Sequence, residues 1–83
     1  MKFKLYTEIA FNQDILEYSI LKGDIGTLVE YHKANNNINE DGYTIEIFNA
    51  LGDTLKVITV PESKISAIKH NSVLSVREIE FVN

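Results

Sequence analysis

Short runs of alternating apolar and polar side chains, broken about every eight to twelve residues by turn chemistry, constrain this 83-residue chain more than anything else in its sequence. Successive side chains of a strand project to opposite faces, so a period of two marks a strand with one buried face. In residues 1–11, Phe3, Leu5, Thr7, Ile9 and Phe11 share one face, and Lys2, Lys4, Tyr6, Glu8 and Ala10 share the other. Residues 27–32 read as a second strand. In residues 43–48, Tyr43, Ile45 and Ile47 point inward and Glu46 outward, and residues 54–60 return across a five-residue connection, 49–53, that contains Gly52.

The punctuation between these runs is specific. Residues 12–17 form a connecting loop, and 18–21 lead into the hexapeptide Lys22, Gly23, Asp24, Ile25, Gly26, Thr27. Here Gly23 and Gly26 are expected to take backbone angles closed to other residues, with Asp24 capping the turn by accepting a nearby N–H. Residues 33–42 carry four asparagines and end in Glu40, Asp41 and Gly42, which is loop chemistry. Pro61 has no N–H for a ladder bond and ends its strand, after which residues 62–65 suit one 3₁₀ turn and 66–68 a short strand. In residues 72–82, Leu74 and Val76 have one phase and Ile79 and Phe81 the opposite, which predicts a strand bent near Arg77 and Glu78. A short helix through Val73, Val76 and Ile79 is the alternative.

The pattern therefore predicts a single all-β domain, residues 1–83. Its architecture is a small SH3-like barrel of five to six short antiparallel strands, with a C-terminal extra strand or short helix. A final strand through Phe81 and Val82 would offer an edge for a homodimer. A domain of this size buries only about 60% of its unfolded surface, which argues against a deep enclosed active site. Zero cysteines exclude disulfides, thiolate metal ligands and a cysteine nucleophile, and fit a cytoplasmic location. Glu8 interrupts the only N-terminal apolar run, so neither a secretory segment nor a membrane association is expected.

The side chains that carry chemistry are scattered. His32 and His70 lie far apart in sequence, with no spacing that preforms a metal site. Ser63, beside Lys64, reads as a first-turn residue after Pro61, and no nucleophile motif surrounds any hydroxyl. Glu40 and Asp41 sit together in a polar loop, where solvation rather than pKa tuning is expected. Asp24 between the two glycines spoils an anion cradle. The expectation is a non-enzymatic domain with no cofactor and no metal.

Charge bears on the partner. Eight basic residues face twelve acidic ones, for a net charge of −4, whereas phosphate recognition needs a basic stripe; nucleic acid is disfavoured. Residues 35–62 hold five of the carboxylates against Lys56 alone. Such a lobe is most simply solvated surface. Its sharper reading is a partner surface of Glu40, Asp41, Tyr43, Glu46, Phe48 and Asp53 that steers a basic protein, with Tyr43 or Phe48 as aromatic anchor. A groove for proline-rich peptides is disfavoured by the absence of tryptophan, for which Tyr6 and Tyr18 are only partial substitutes.

Residues 14–27, with Val29 and Glu30, then Ile45 to Phe48 and the Gly52, Asp53, Thr54 turn, resemble the bacterial family termed domain of unknown function 4926. The likeness covers roughly three quarters of the chain and extends to Arg77 and Glu78. Leu16 and Ser19 depart from that family's pattern, where proline and glycine are expected. The resemblance implies an SH3-like barrel and, beyond a hint of an antitoxin or immunity role, no established activity; the function expected is a protein-interaction module, whether antitoxin, immunity factor or small docking subunit. A wider likeness to ribosome-associated barrels with the KOW motif rests on the glycine turn and supplies the alternative, an RNA- or ribosome-associated barrel.

Overall fold

The alternation in residues 43–48 and 54–60 becomes a long antiparallel pair, around which the remaining strands assemble. A computed structural model describes residues 1–79. Strands β1 (Glu8–Phe11), β2 (Ile25–His32), β3 (Gly42–Phe48), β4 (Thr54–Pro61) and β5 (Ile65–Ala67) form one open antiparallel sheet in the order β4-β3-β2-β1-β5. Two 3₁₀ turns interrupt it, Leu16–Tyr18 before β2 and Glu62–Lys64 before β5. This is the small barrel-like all-β fold expected from the sequence, with five strands among the described residues.

Strand β2 serves both halves of the sheet. Its first residues pair with β1, as in Ile9 opposite Gly26, and its later residues pair with β3, as in Tyr31 opposite Tyr43. A register shift between Leu28 and Glu30 interrupts its ladder with β3, as an extra residue in one strand does. The inward residues then converge: Ile9, Phe11, Leu28, Tyr43, Ile45, Ile47, Ile58, Val60 and Ile65 are buried in one cluster. Two further members come from the loop before β2. Ile15 and Ile20 exchange backbone hydrogen bonds of 2.9 and 3.1 Å, so that stretch is a narrow hairpin folded onto the core rather than a plain connection.

One expected strand is shortened and another is absent. Residues 1–7 do not extend β1, because the chain reverses at Tyr6, whose φ of 64° lies in the left-handed region. The reversal carries Phe3 across the end of the barrel, where its ring meets Tyr43 edge-on at 5.7 Å and its N–H donates to the Tyr43 hydroxyl at 3.0 Å. Phe3 and Leu5 thus pack on the core as their phase required, without a ladder. Residues 72–79 form neither the bent strand nor the helix. Their path is set by Arg77, which bonds Asp24 and the Ser19 carbonyl, and by Ile79, which packs on the core; Val73, Leu74 and Val76 are left exposed. The dimer edge expected at Phe81 and Val82 lies outside the described residues. No helix among the described residues is long and apolar enough to cross a membrane.

Candidate functional site

The glycine turn is built from reciprocal hydrogen bonds. The Leu21 N–H donates to Asp24 Oδ2 at 2.8 Å, and the Asp24 N–H returns to the Leu21 carbonyl at 3.0 Å. Gly23 supplies the required backbone angle, with φ at 93°, and its N–H reaches the Phe11 carbonyl at 2.8 Å. Asp14 accepts from the Lys22 N–H at 2.8 Å. Asp24 therefore caps the turn as its sequence position suggested. Gly26 differs from expectation: its φ is ordinary for a strand, and glycine is needed for space against Ile45. Gly52 takes a φ of 93° in the connection between β3 and β4, where Asn49 Oδ1 accepts the N–H groups of Leu51 and Asp53 at 2.9 Å each.

Asp24 has a second partner that sequence reasoning missed. Arg77 Nε donates to its Oδ1 at 2.8 Å and Nη2 donates to Oδ2, while Nη2 also reaches the Ser19 carbonyl at 2.9 Å. Burial pushes the Asp24 carboxyl upward, but hydrogen bonds from Arg77 and the Leu21 N–H, with the Arg77 charge, outweigh it and hold the group below its ordinary value. The pair also raises the Arg77 pKa. The one hint in the sequence was a lone arginine amid the apolar residues of 73–79.

The acidic residues expected to form one lobe divide between the two ends of the β3–β4 pair. Pairing of Gly42 with Pro61 and of Phe48 with Thr54 fixes those ends, about 20 Å apart at the rise of a strand. Near Gly42, Glu40 accepts from Ser63 Oγ at 2.8 Å, and Asp41 accepts from the Tyr31 hydroxyl and the Ala34 N–H, each at 2.8 Å. The Ala34 N–H and the Tyr31 hydroxyl lower the Asp41 pKa, and the same bond pushes the Tyr31 phenol up to about 12. Tyr43, expected as a possible anchor, is wholly buried, and its hydroxyl donates to Glu62 Oε2 at 3.1 Å. Burial is the main reason its pKa rises. Three carboxylates at this end are thus engaged within the fold.

At the other end the carboxylates are hydrogen-bonded too, but they stand beside an exposed ring. Phe48 is 41% exposed, Glu46 accepts from the Thr54 hydroxyl at 2.7 Å, and Asp53 meets Asn49 at 3.4 Å. Beside them lies a groove of about 610 Å³ lined by Asp24, Ile25, Ile47, Phe48 and Leu55 on one side and residues 74–79 on the other. Its surface is mainly apolar. A smaller cleft of about 300 Å³ separates residues 14–18 from the end of β4, near where Lys56 Nζ donates to the Tyr18 carbonyl at 2.5 Å. Lys56 therefore turns inward and does not oppose the acidic residues at the hairpin.

The histidines have separate surroundings. His32 Nε2 lies 2.7 Å from Thr44 Oγ1, itself 2.8 Å from Thr59 Oγ1, and His70 sits in a turn closed by the Ser72 N–H on the Lys69 carbonyl. Among the described residues, no group of three or more histidine and carboxylate side chains has the geometry to hold a metal ion. Every buried side-chain polar atom among them has a hydrogen-bond partner.

A family model described as "Domain of unknown function (DUF4926)" matches residues 5–67. The match ends with β5, so the likeness read at Arg77 and Glu78 falls beyond it. No curated protein and no solved structure matches the chain.

Proposed function

The chain belongs to the family described as Domain of unknown function (DUF4926), and we propose that it is a non-enzymatic binding domain that docks another protein at the β3–β4 hairpin end. The observation that carries this reading is the groove beside Phe48: about 610 Å³, largely apolar, with a half-exposed aromatic ring on its border. A few well-packed residues, with aromatic side chains prominent among them, carry most of the binding energy at protein interfaces.

Charge defines the partner. Glu46 and Asp53 flank Phe48 in sequence and at the hairpin end, within a chain of net charge −4. A basic partner is drawn to such a surface faster than a neutral one. A nuclease-like toxin with a positive substrate cleft is the kind of protein that fits, in keeping with an antitoxin or immunity role. Glu40, Asp41 and Tyr43 drop out of the binding set, since the first two lie at the far end of the ribbon and the third is core.

Capture from the native host tests the reading, comparing wild type with Phe48→Asp. The expected result is a basic protein retained by wild type and lost by the variant, whose circular dichroism is unchanged. Retention by both proteins, or recovery of nucleic acid instead, overturns it.

A further inference from the structure

We propose that residues 72–79, part of which walls this groove, also act as a built-in ligand of an arginine-binding fork at its edge, a strap holding the place of an extended partner segment in which an arginine is followed two residues later by an aliphatic side chain. The inference rests on reading the groove as the docking surface. It adds the partner's chemistry and a competitor supplied by the chain itself.

The receptor for that arginine is held by groups that lie outside the strap. The Asp24 carboxylate is oriented by the Leu21 N–H at 2.8 Å, and the Ser19 carbonyl is presented by a left-handed residue with φ 57° and ψ 32°. Both belong to residues 5–67, the portion that matches the family, whereas the strap begins after that portion ends. A fork of fixed oxygens is the complement of a guanidinium, which is planar and donates in two parallel directions. Arg77 fills that fork, with 2.8 Å to Asp24 Oδ1, 2.9 Å to the Ser19 carbonyl and a further bond to Asp24 Oδ2.

The strap is held by little else. It makes no ladder with any strand; Val73 and Val76 are more than 90% exposed, and Ile79 alone among its side chains packs on the core. The Arg77 and Asp24 side chains are 31% and 16% exposed, so this part-buried pair is the strap's main attachment, and removing Arg77 frees the fork. A segment of the same chemistry therefore has the arginine fork and the seat of Ile79 against the core available once the strap lifts. While Arg77 is seated, the apparent affinity for such a segment is scaled down by the fraction of molecules in which the fork is free.

A nuclear magnetic resonance titration of the full chain with the peptide Ser-Val-Leu-Ser-Val-Arg-Glu-Ile, copied from residues 72–79, tests this directly. In the Arg77→Ala protein the peptide is expected to shift the amides of Leu21, Asp24 and Phe48 at concentrations about ten-fold lower than in wild type. The same peptide with alanine for arginine is expected to lose the effect. Equal titrations of wild type and Arg77→Ala, or indifference to the peptide's arginine, overturn the strap. Because no natural partner is involved, that failure leaves the docking reading standing. Partner capture indifferent to Phe48→Asp overturns the docking reading instead.

Discussion

Gly26 of β2 lies so close to Ile45 of β3 that a Cβ on residue 26 would overlap Ile45 Cγ2 and stand 3.2 Å from the Glu46 carbonyl oxygen. Gly23, three residues earlier, has open space around it and is instead constrained by a φ of 93°. One turn therefore uses glycine for two physical reasons.

The two reasons separate on substitution. Gly26→Ala is expected to destabilise by about 1–3 kcal/mol through overpacking. Gly23→Asn should cost under about 1 kcal/mol, because asparagine enters left-handed backbone more readily than other residues with a Cβ. Denaturant midpoints at constant slope give both values. A Gly26→Ala protein as stable as wild type would contradict the steric account.

Asp24→Ala removes the acceptor of the Leu21 N–H and leaves Arg77 without its carboxylate. A loss of about 1–2 kcal/mol is expected, since a hydrogen bond to a charged group is involved, and the melting temperature should fall by several degrees in a domain of this size. Arg77→Ala should cost no more than about 1 kcal/mol, as the pair is partly exposed. Thermal unfolding of both variants decides the order, and a larger loss for Arg77→Ala would reverse it.

Tyr43→Phe deletes the hydroxyl that accepts from the Phe3 N–H and donates to Glu62 while keeping the ring against Phe3 and Tyr31. The expected cost is about 0.5–1.5 kcal/mol. Tyr43→Ala, which empties the core position as well, should cost about 3–5 kcal/mol. If chemical denaturation finds both losses equal, Tyr43 acts through its hydroxyl and not through packing.

Acid should unfold the protein partly through Asp24 and Asp41. Their carboxyls lie below the ordinary value of 3.8, so the unfolded chain binds more protons than the folded one at low pH. Their contribution is complete above that value and is lost as pH falls through the lower folded values. Melting temperatures from about pH 6 to pH 2 should decline less steeply in Asp24→Asn than in wild type over the acid limb. Parallel profiles would remove Asp24 from the acid response.

Charge reversal probes the docking surface. The double substitution Glu46→Lys, Asp53→Lys is expected to slow association with a basic partner by about ten-fold at low salt and to flatten the salt dependence. The same reversal at Glu40 and Asp41, at the other end of the ribbon, should have a smaller effect on the rate. Stopped-flow mixing at several ionic strengths measures both, and equal effects would mean that overall charge, not the hairpin end, steers the partner.

The sequence by itself determined the elements whose physics is local. Alternation placed Tyr43, Ile45 and Ile47 inward, the five residues 49–53 set the hairpin, and the missing N–H of Pro61 marked the close of β4 and the 3₁₀ turn that follows. Each depends on a side chain's own conformational limits or on neighbours a few residues away. The tertiary structure decided what depends on distant partners. Phe3 obeyed its phase but left the strand because Tyr6 turns it onto Tyr43. The five carboxylates of residues 35–62 are contiguous in composition, yet a ribbon separates its two ends in space, leaving only Glu46 and Asp53 beside Phe48. Arg77 meets Asp24 across 53 residues of chain, a separation at which no local period couples two side chains. That contact gives the groove its second wall, and only the folded chain brings it about.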